Sequence, residues 1–232
     1  MCKWNARATV AIPGQRISAR LPSRRYRRIV SEPAHWDDVY RRRENDSLSW
    51  FQQSADTSLA LITSVADPAE ISIIDVGAGT SPLVDALLTA GCTDLALIDL
   101  SETALAITMA RVNESTAVAT VVGDVTEWDP DRTFDLWHDR AVFHFLSGAD
   151  RDRYLANAER TVTAGGFLVI GTFAPDGPAT CSGREVTRYS IEQLAAVFAR
   201  GFEMVSARDE HHLTPKGINQ HFTWVVLRRR GA

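Results

Sequence analysis

The stretch that decides the fold is Ile71-Ser72-Ile73-Ile74-Asp75-Val76-Gly77-Ala78-Gly79-Thr80-Ser81-Pro82. An apolar, β-branched run leads into Gly-x-Gly and then into Ser-Pro, which is typical of a helix start. The glycines allow a sharp turn and a close approach of a ligand to the backbone. A tight strand-to-helix turn that binds nothing would have the same pattern, so residues elsewhere must decide between the two.

Outward from this stretch, strand-like and helix-like patterns alternate. The strand-like runs are 71–76, 95–99, 119–122, 134–138, 166–173, 202–207 and 222–227, and helical patterns lie between them at 81–90, 102–113, 150–161 and 191–199. Repeated strand–helix units predict a parallel sheet. The last two runs are joined only by the polar stretch 208–220, which leaves no room for a crossover helix. The predicted fold class is α/β, a Rossmann-like, seven-stranded, mostly parallel sheet with helices on both faces and an antiparallel C-terminal hairpin.

Length and composition indicate a soluble globular protein. The chain has 232 residues, of which 45% are hydrophobic and 23% charged. No stretch approaches the roughly 18 apolar residues of a membrane span, so no membrane association is expected. Cys2, Cys92 and Cys181 are too scattered for a disulfide framework or a zinc site, which favours a reducing, cytoplasmic location.

The charge is unevenly distributed. Residues 1–31 hold eight Lys and Arg and no Asp or Glu, whereas the remaining residues carry 17 basic and 29 acidic side chains. An acidic body disfavours nucleic-acid binding. Residues 1–31 are predicted to be a basic, flexible arm. They also suit translated upstream sequence from a mis-chosen start codon, or an organelle transit peptide. Residues 32–232 are predicted to form one domain, with a helical segment at 32–66 and the sheet core at 69–228.

Carboxylates follow the first three strand-like runs. Asp75 precedes the glycines, where it would repel a pyrophosphate but suits an ammonium group. Asp99 lies 22 residues after Gly77, a spacing that places a carboxylate near ribose hydroxyls; it also suits a residue that simply precedes a helix cap. Asp124, in Gly123-Asp124-Val125, could accept a hydrogen bond from an adenine amino group. Pro82 replaces the third glycine of the dinucleotide fingerprint, which disfavours NAD and FAD.

Together these residues resemble the class I S-adenosylmethionine-dependent methyltransferases, over roughly residues 34–228. The resemblance implies S-adenosylmethionine as cofactor and S-adenosylhomocysteine as product. The residues that it assigns to the cofactor are Asp75, Gly77 and Gly79 for the methionine part, Asp99 and Leu100 for the ribose, and Asp124 and Val125 for the adenine.

A finer resemblance concerns the thiopurine methyltransferase-like branch, which carries Trp-Asp-Arg-Gly after its fourth strand. Here the motif corresponds to His138-Asp139-Arg140-Ala141, which follows Trp137; His138 replaces the Trp of the motif and Ala141 replaces its Gly. Residues 36–40 and 49–52 resemble that branch's cofactor lid. The resemblance assigns Trp36, Tyr40 and Phe51 to the lid, and His138 and Arg140 to the cofactor or substrate side. The aromatic residues also suit a helical core, and a protein-lysine methyltransferase branch carries a related Asp-Lys-Gly.

Methyl transfer requires alignment of the acceptor and exclusion of water. Residues predicted to position the acceptor or transfer a proton are His138, Arg140 and His144, although a lone histidine also suits a structural role. The residues predicted to bind substrate are Trp50, His144, Phe173, Arg188 and Tyr189. His211 and His212 lack the partners of a metal site, so no metal is predicted.

Several functions remain compatible with the sequence. The leading prediction is a monomeric enzyme that methylates S, O or N of a small molecule. Alternatives are a protein-lysine N-methyltransferase, with a protein as substrate, and a non-catalytic S-adenosylmethionine-binding module. A NAD-dependent oxidoreductase is disfavoured because the chain lacks a Tyr-x-x-x-Lys pair.

Overall fold

The computed structural model describes residues 33–231 and, before them, the backbone of two short strands, β1 (Arg7–Thr9) and β2 (Ser18–Arg20). These two strands pair in an antiparallel manner, which the sequence analysis did not predict. The expectation of a flexible arm at 1–31 otherwise falls outside the described residues.

Helices and strands alternate through the rest of the chain. The helices are α1 (Pro33–Arg42), α2 (Asp56–Thr63), α3 (Leu83–Thr89), α4 (Glu102–Arg111), α5 (Gly148–Thr161) and α6 (Ile191–Phe198). The strands are β3 (Ile73–Val76), β4 (Leu95–Asp99), β5 (Val118–Val122), β6 (Phe134–Arg140), β7 (Val162–Phe173), β8 (Thr180–Cys181), β9 (Arg184–Glu185), β10 (Phe202–Leu213) and β11 (Asn219–Arg229). Ser101 caps α4 as its position suggests, since its hydroxyl accepts a hydrogen bond from the Ala104 amide.

Seven strands form the main sheet in the order β10-β11-β7-β6-β3-β4-β5. The pairs among β7, β6, β3, β4 and β5 are parallel, whereas β11 is antiparallel to both of its neighbours. The predicted fold class is therefore confirmed. In this order the carboxyl ends of β6, β3, β4 and β5 lie side by side at one edge of the sheet.

The core is divided by the sheet into two layers. Neighbouring residues along a strand enter opposite layers, as Leu136 and Trp137 do on β6. One layer contains apolar side chains of α5 and α6, including Tyr154 and Phe198. The other contains side chains of α2, α3 and α4, including Ile62. Both faces of the sheet are thus covered, which explains why its strands read as continuous apolar runs.

The C-terminal hairpin is longer than predicted. The stretch 208–220 was expected to be a polar connection, but β10 and β11 extend into it and pair as far as Leu213 with Asn219. That expectation was wrong because one face of this ladder is solvated, so polar residues are tolerated in strands. In the part of the chain that the structure describes, no helix combines the length and apolarity needed to cross a bilayer.

Candidate cofactor-binding site

The glycine loop after β3 needs glycine for two physical reasons. Gly77 and Gly79 have φ angles of +66° and +50°, which side chains rarely adopt. A Cβ on Gly77 would lie 2.0 Å from Cγ2 of Val142, and one on Gly79 would lie 2.4 Å from the hydroxyl oxygen of Tyr40. The loop is therefore closely covered by the segment after β6 and by α1.

One cavity opens above this loop, at the carboxyl ends of β3, β4, β5 and β6. Every residue predicted to bind the cofactor lies on its wall: Trp36, Tyr40, Phe51, Asp75, Gly77, Gly79, Asp99, Leu100, Asp124, Val125, His138 and Arg140. Trp50, predicted to bind substrate, also lines it. Further lining residues that the sequence analysis did not identify include Asn45, Thr80, Phe145 and Cys181.

Asp75 is held by a histidine on the neighbouring strand. His138 Nδ1 lies 2.7 Å from Asp75 Oδ1, and His138 Nε2 lies 2.9 Å from the Ser58 hydroxyl. Asp75 is only 2% exposed, and its Oδ2 has no hydrogen-bond partner among the described residues. An unpaired buried carboxylate oxygen is costly, and Asp75 lines the cavity, so this carboxylate is suited to a ligand that donates hydrogen bonds.

Asp99 links the tip of β4 to the glycine loop. Its Oδ2 accepts a 2.9 Å hydrogen bond from the Gly79 amide, and its Oδ1 accepts a 2.8 Å bond from the Ser101 amide. Burial raises the pKa of Asp99 to about 6, against the lowering effect of these two bonds. Each oxygen retains a further acceptor position, so the carboxylate can take two more donors from a ligand.

Asp124 lies at the tip of β5, on the far side of Asp99. Its Oδ1 accepts hydrogen bonds of 2.8 Å from both the amide and the hydroxyl of Thr126. Val125, next to it, is buried and also lines the cavity. The spacing along the sequence thus brings the carboxylates of three neighbouring strands to one cavity.

Aromatic side chains close the cavity from the N-terminal side. Trp36 makes edge contacts with Trp50 and Phe145, at ring-centre distances of 5.9 and 5.7 Å, and Tyr40 lies 6.2 Å from Trp50. Burial raises the pKa of Tyr40 far above its ordinary value, so its hydroxyl stays neutral. These residues belong to residues 33–53, a segment that lines one side of the cavity and is named the lid below.

The lid is anchored to α4. Asp37 on α1 accepts a 2.7 Å hydrogen bond from the Ser101 hydroxyl and a 3.1 Å bond from the Thr103 amide. Asn45 Oδ1 also accepts a hydrogen bond from the Thr80 hydroxyl at the glycine loop. These polar contacts hold α1 against the same loop that lines the cavity.

Arg140, at the end of β6, lies on the side of the cavity towards the hairpin. Its Nη1 donates a 3.3 Å hydrogen bond to the Trp50 carbonyl, and its guanidinium carbon lies 4.5 Å from the centre of the Phe222 ring. Burial lowers the pKa of Arg140 to about 10, so the group remains charged at neutral pH.

Asp139, next to Arg140 on β6, is held by hydrogen bonds to the segment that follows the strand. It accepts hydrogen bonds from the Tyr154 hydroxyl at 2.6 Å and from the amides of Val142 and Phe143. Burial raises its pKa to about 6. Asp139 therefore fixes the turn after β6, a role that depends on α5 packing beneath it.

Several residues predicted to contact substrate lie off the cavity wall. His144 is fully buried, with ring centres of Phe145 and Phe173 4.5 and 4.7 Å away, and neither ring nitrogen has a partner among the described residues. Burial lowers the pKa of His144 to about 3. This placement gives no support to a proton-transfer role, because the ring is separated from the cavity.

The other three predicted substrate residues that do not line the cavity, Phe173, Tyr189 and Arg188, contact the protein itself. Phe173 is a core residue that packs on Phe222, and Tyr189 is buried against Phe143. Arg188 is exposed and donates to the Gly177 carbonyl at 3.2 Å. No group of three or more potential metal-ligating side chains lies together within the residues described.

Part of the sequence, and the fold of the chain, are similar to those of known methyltransferases. Residues 73–166 match a family model described as a methyltransferase domain. No curated protein sequence matches the chain significantly.

Solved structures match over most of their length. A 1,6-didemethyltoxoflavin-N1-methyltransferase from Burkholderia thailandensis is 18% identical, with a TM-score of 0.70 and coverage of 97% of this chain and 100% of its own. The N-methyltransferase NodS from Bradyrhizobium japonicum, with S-adenosylhomocysteine, is 15% identical, with a TM-score of 0.67 and coverage of 85% and 100%. An S-adenosylmethionine-dependent methyltransferase from Anabaena variabilis is 14% identical, with a TM-score of 0.70 and coverage of 90% and 98%.

Proposed function

We propose that this protein is an S-adenosylmethionine-dependent methyltransferase that acts on a small molecule. The observation that carries the proposal is the single cavity that joins the glycine loop with the carboxylates of Asp75, Asp99 and Asp124. The family match over residues 73–166 and the shared fold support a class I methyltransferase.

The residues present fit the cofactor. The unpartnered Oδ2 of Asp75 suits the α-ammonium group, and the cradle at Gly77 and Gly79 has no space for a Cβ. Asp99 would accept hydrogen bonds from the ribose hydroxyls, and Asp124 from the adenine amino group. The bound cofactor supplies a methyl group on a positively charged sulfur.

The protein's own contribution is alignment and exclusion of water. Trp36, Tyr40 and Trp50 cover the cavity, and their ring faces favour a nearby cation by about 0.5–2 kcal/mol each. Water is thereby kept from the reacting centre, and the acceptor is held in line with the methyl group.

The proposal of a small-molecule acceptor is supported by the structural likeness to the 1,6-didemethyltoxoflavin-N1-methyltransferase, whose structure contains the small molecule 1,6-didemethyltoxoflavin. The likeness to the thiopurine branch remains a proposal that rests on residues 137–141 and the lid. A cytoplasmic location is likewise proposed, and the two described cysteines, Cys92 and Cys181, are both free and buried. A monomer is proposed as well.

Calorimetric titration with S-adenosylhomocysteine and, in parallel, with NAD tests the cofactor assignment. We expect binding of S-adenosylhomocysteine and none of NAD; the opposite result would overturn the proposal. Methyl-labelled S-adenosylmethionine, assayed with thiols, phenols, acids, amines and lysine-containing proteins, then separates a small-molecule enzyme from a protein methyltransferase. Cofactor binding without transfer to any acceptor would favour the non-catalytic binding module.

A further inference from the structure

Arg140 is a charged residue on the cavity wall, and among the described residues no carboxylate forms an ion pair with it. We propose that its guanidinium group binds a carboxylate of the methyl acceptor, so that the substrate class is a carboxylate-bearing small molecule. This inference rests on the proposed function and specifies its substrate.

The hydrogen bonds of Arg140 leave one edge of the group unused. A guanidinium has five N–H donors, yet within the described part of the chain only Nη1 of Arg140 has a hydrogen bond, to the Trp50 carbonyl. Nε and Nη2 are buried and have no partner among the described residues. These two nitrogens form the edge that binds both oxygens of a carboxylate side by side. Since buried unpaired donors are costly, a ligand that satisfies both is favoured.

The orientation of this edge is set before any ligand arrives. The guanidinium carbon lies 4.5 Å from the centre of the Phe222 ring, and Phe222 is itself fixed against Phe173 at a ring-centre distance of 4.8 Å. Stacking on an aromatic face restricts the plane of the guanidinium. Because Nε and Nη2 are buried, a bound acceptor must displace the side chains that cover them.

The surroundings of Arg140 select an anion. Glu210 is the acidic side chain that acts on it electrostatically, but Glu210 Oε2 accepts a 2.7 Å hydrogen bond from Trp224, and no ion pair joins it to Arg140 in the described part of the chain. Burial raises the pKa of Cys181 to about 12 and lowers that of His212, so both stay neutral near pH 7. His144 is also neutral, with its pKa lowered to about 3.

The position of Arg140 favours the acceptor over the cofactor. Its contacts and charged neighbours belong to the lid, β8, β10 and β11. Asp99 and Asp124 follow β4 and β5, which lie on the other side of β3 in the sheet. Arg140 therefore lies at the end of the cavity opposite the predicted ribose and adenine positions.

The test uses the full chain saturated with S-adenosylhomocysteine and a panel of aromatic and aliphatic carboxylates, each matched with its primary amide. Binding is measured by ligand-observed NMR and calorimetry. We expect carboxylates to bind more tightly than their amides, and Arg140→Gln to weaken carboxylate binding about 10- to 100-fold. Arg140→Lys keeps the charge but loses the two-nitrogen edge, so its affinity for carboxylates should lie between those of wild type and Arg140→Gln. Arg208→Gln, at an exposed position on β10, is the matched control and should bind as wild type.

The outcomes are separable. If no carboxylate binds more tightly than its amide, or if Arg140→Gln binds carboxylates as wild type does, the inference is wrong. If Arg140→Gln instead loses affinity for S-adenosylhomocysteine, Arg140 serves the cofactor and the inference is also overturned. If Arg140→Gln fails to fold, the comparison of Arg140→Lys with wild type decides. Failure of wild type to bind S-adenosylhomocysteine would overturn the proposed function itself.

Discussion

Oδ1 of Asp75 lies 2.7 Å from Nδ1 of His138, across the parallel pair of β3 and β6. The other ring nitrogen of His138 meets the Ser58 hydroxyl, and the ring stacks on Trp224 at 5.9 Å. One oxygen of Asp75 is thereby held by His138, while the other has no hydrogen-bond partner among the described residues. His138 thus has a defined role in orienting the carboxylate proposed to bind the cofactor.

Replacing His138 by Phe should weaken the cofactor site. The ring volume and the stacking on Trp224 are largely retained, but Asp75 and Ser58 lose their partner. We expect about a tenfold loss of S-adenosylhomocysteine affinity and a fall of about 1–3 kcal/mol in the free energy of unfolding. Ser58→Ala, which keeps the bond between Asp75 and His138, should have a smaller effect on affinity. Unchanged affinity in His138→Phe would contradict the orienting role.

Cofactor affinity should depend on pH through Asp99. Its pKa is raised from 3.8 to about 6, so the ionised form that accepts hydrogen bonds predominates only above that value. We expect affinity for S-adenosylhomocysteine to decrease as the pH falls through about 6, and Asp99→Asn to bind more weakly with a flatter profile. Calorimetric titration of wild type and Asp99→Asn between about pH 5 and 8 measures the two affinity profiles.

The same group has the opposite effect on the stability of the free protein. Because the pKa of Asp99 is higher in the folded state, the folded protein holds its proton more tightly. The stabilising contribution of Asp99 is therefore fully present below pH 3.8 and is lost as the pH rises through about 6. Asp139 shifts in the same direction, so the comparison is between wild type and Asp99→Asn at each pH. A profile of affinity that is identical in both proteins would exclude Asp99 as the titrating group.

Gly79 and Tyr40 should be energetically coupled. In Gly79→Ala the new Cβ would lie 2.4 Å from the Tyr40 hydroxyl oxygen, whereas the next Tyr40 atom, Cζ, is 3.4 Å away. Tyr40→Phe removes that hydroxyl, so Gly79→Ala should cost about 1 kcal/mol less in the Tyr40→Phe background than in wild type. Denaturant unfolding of the four proteins measures this difference. If the two substitutions change the free energy of unfolding additively, the Cβ at position 79 and the Tyr40 hydroxyl do not clash.

His144 should be dispensable for catalysis. Its ring is buried away from the cavity with no hydrogen bond in the described residues, so His144→Phe should keep kcat within a few-fold for any acceptor that the methyl-transfer assay identifies. The free energy of unfolding should be unchanged or higher, because two unpaired nitrogens are removed. A loss of kcat in the roughly 10²- to 10⁴-fold range of general-base removal would restore the proton-transfer role.

The anchor of the lid can be tested at Asp37. Asp37→Ala removes the acceptor of the Ser101 hydroxyl and the Thr103 amide, so α1 should detach more readily. We expect faster amide hydrogen exchange in residues 33–53 and weaker S-adenosylhomocysteine binding. Asp38→Ala, which removes only an exposed pair with Arg42, is the matched control. Equal exchange in the two variants would assign the stability of the lid to its aromatic contacts instead.

The sequence alone determined the architecture and the line of carboxylates at Asp75, Asp99 and Asp124. In a parallel sheet every strand tip points to the same edge, so spacing along the chain translates directly into proximity there. The seven strands and the antiparallel end were predicted from the alternation of strand-like and helix-like runs, whereas the order of the strands is given by the structure. The lengths of β10 and β11 did not, because a ladder with one solvated face has no apolar signal to mark its end.

Only the tertiary structure decided how individual side chains are used. Asp75 and His138 meet because β3 and β6 pair in one particular register, and Arg140 reaches Phe222 because β11 returns beside β7. His144 lies just after β6 near the expected methyl position in sequence, yet the turn fixed by Asp139 directs its ring into the core. Sequence spacing locates a strand tip, but the direction of a side chain beyond it is set by packing against elements that are distant in the chain.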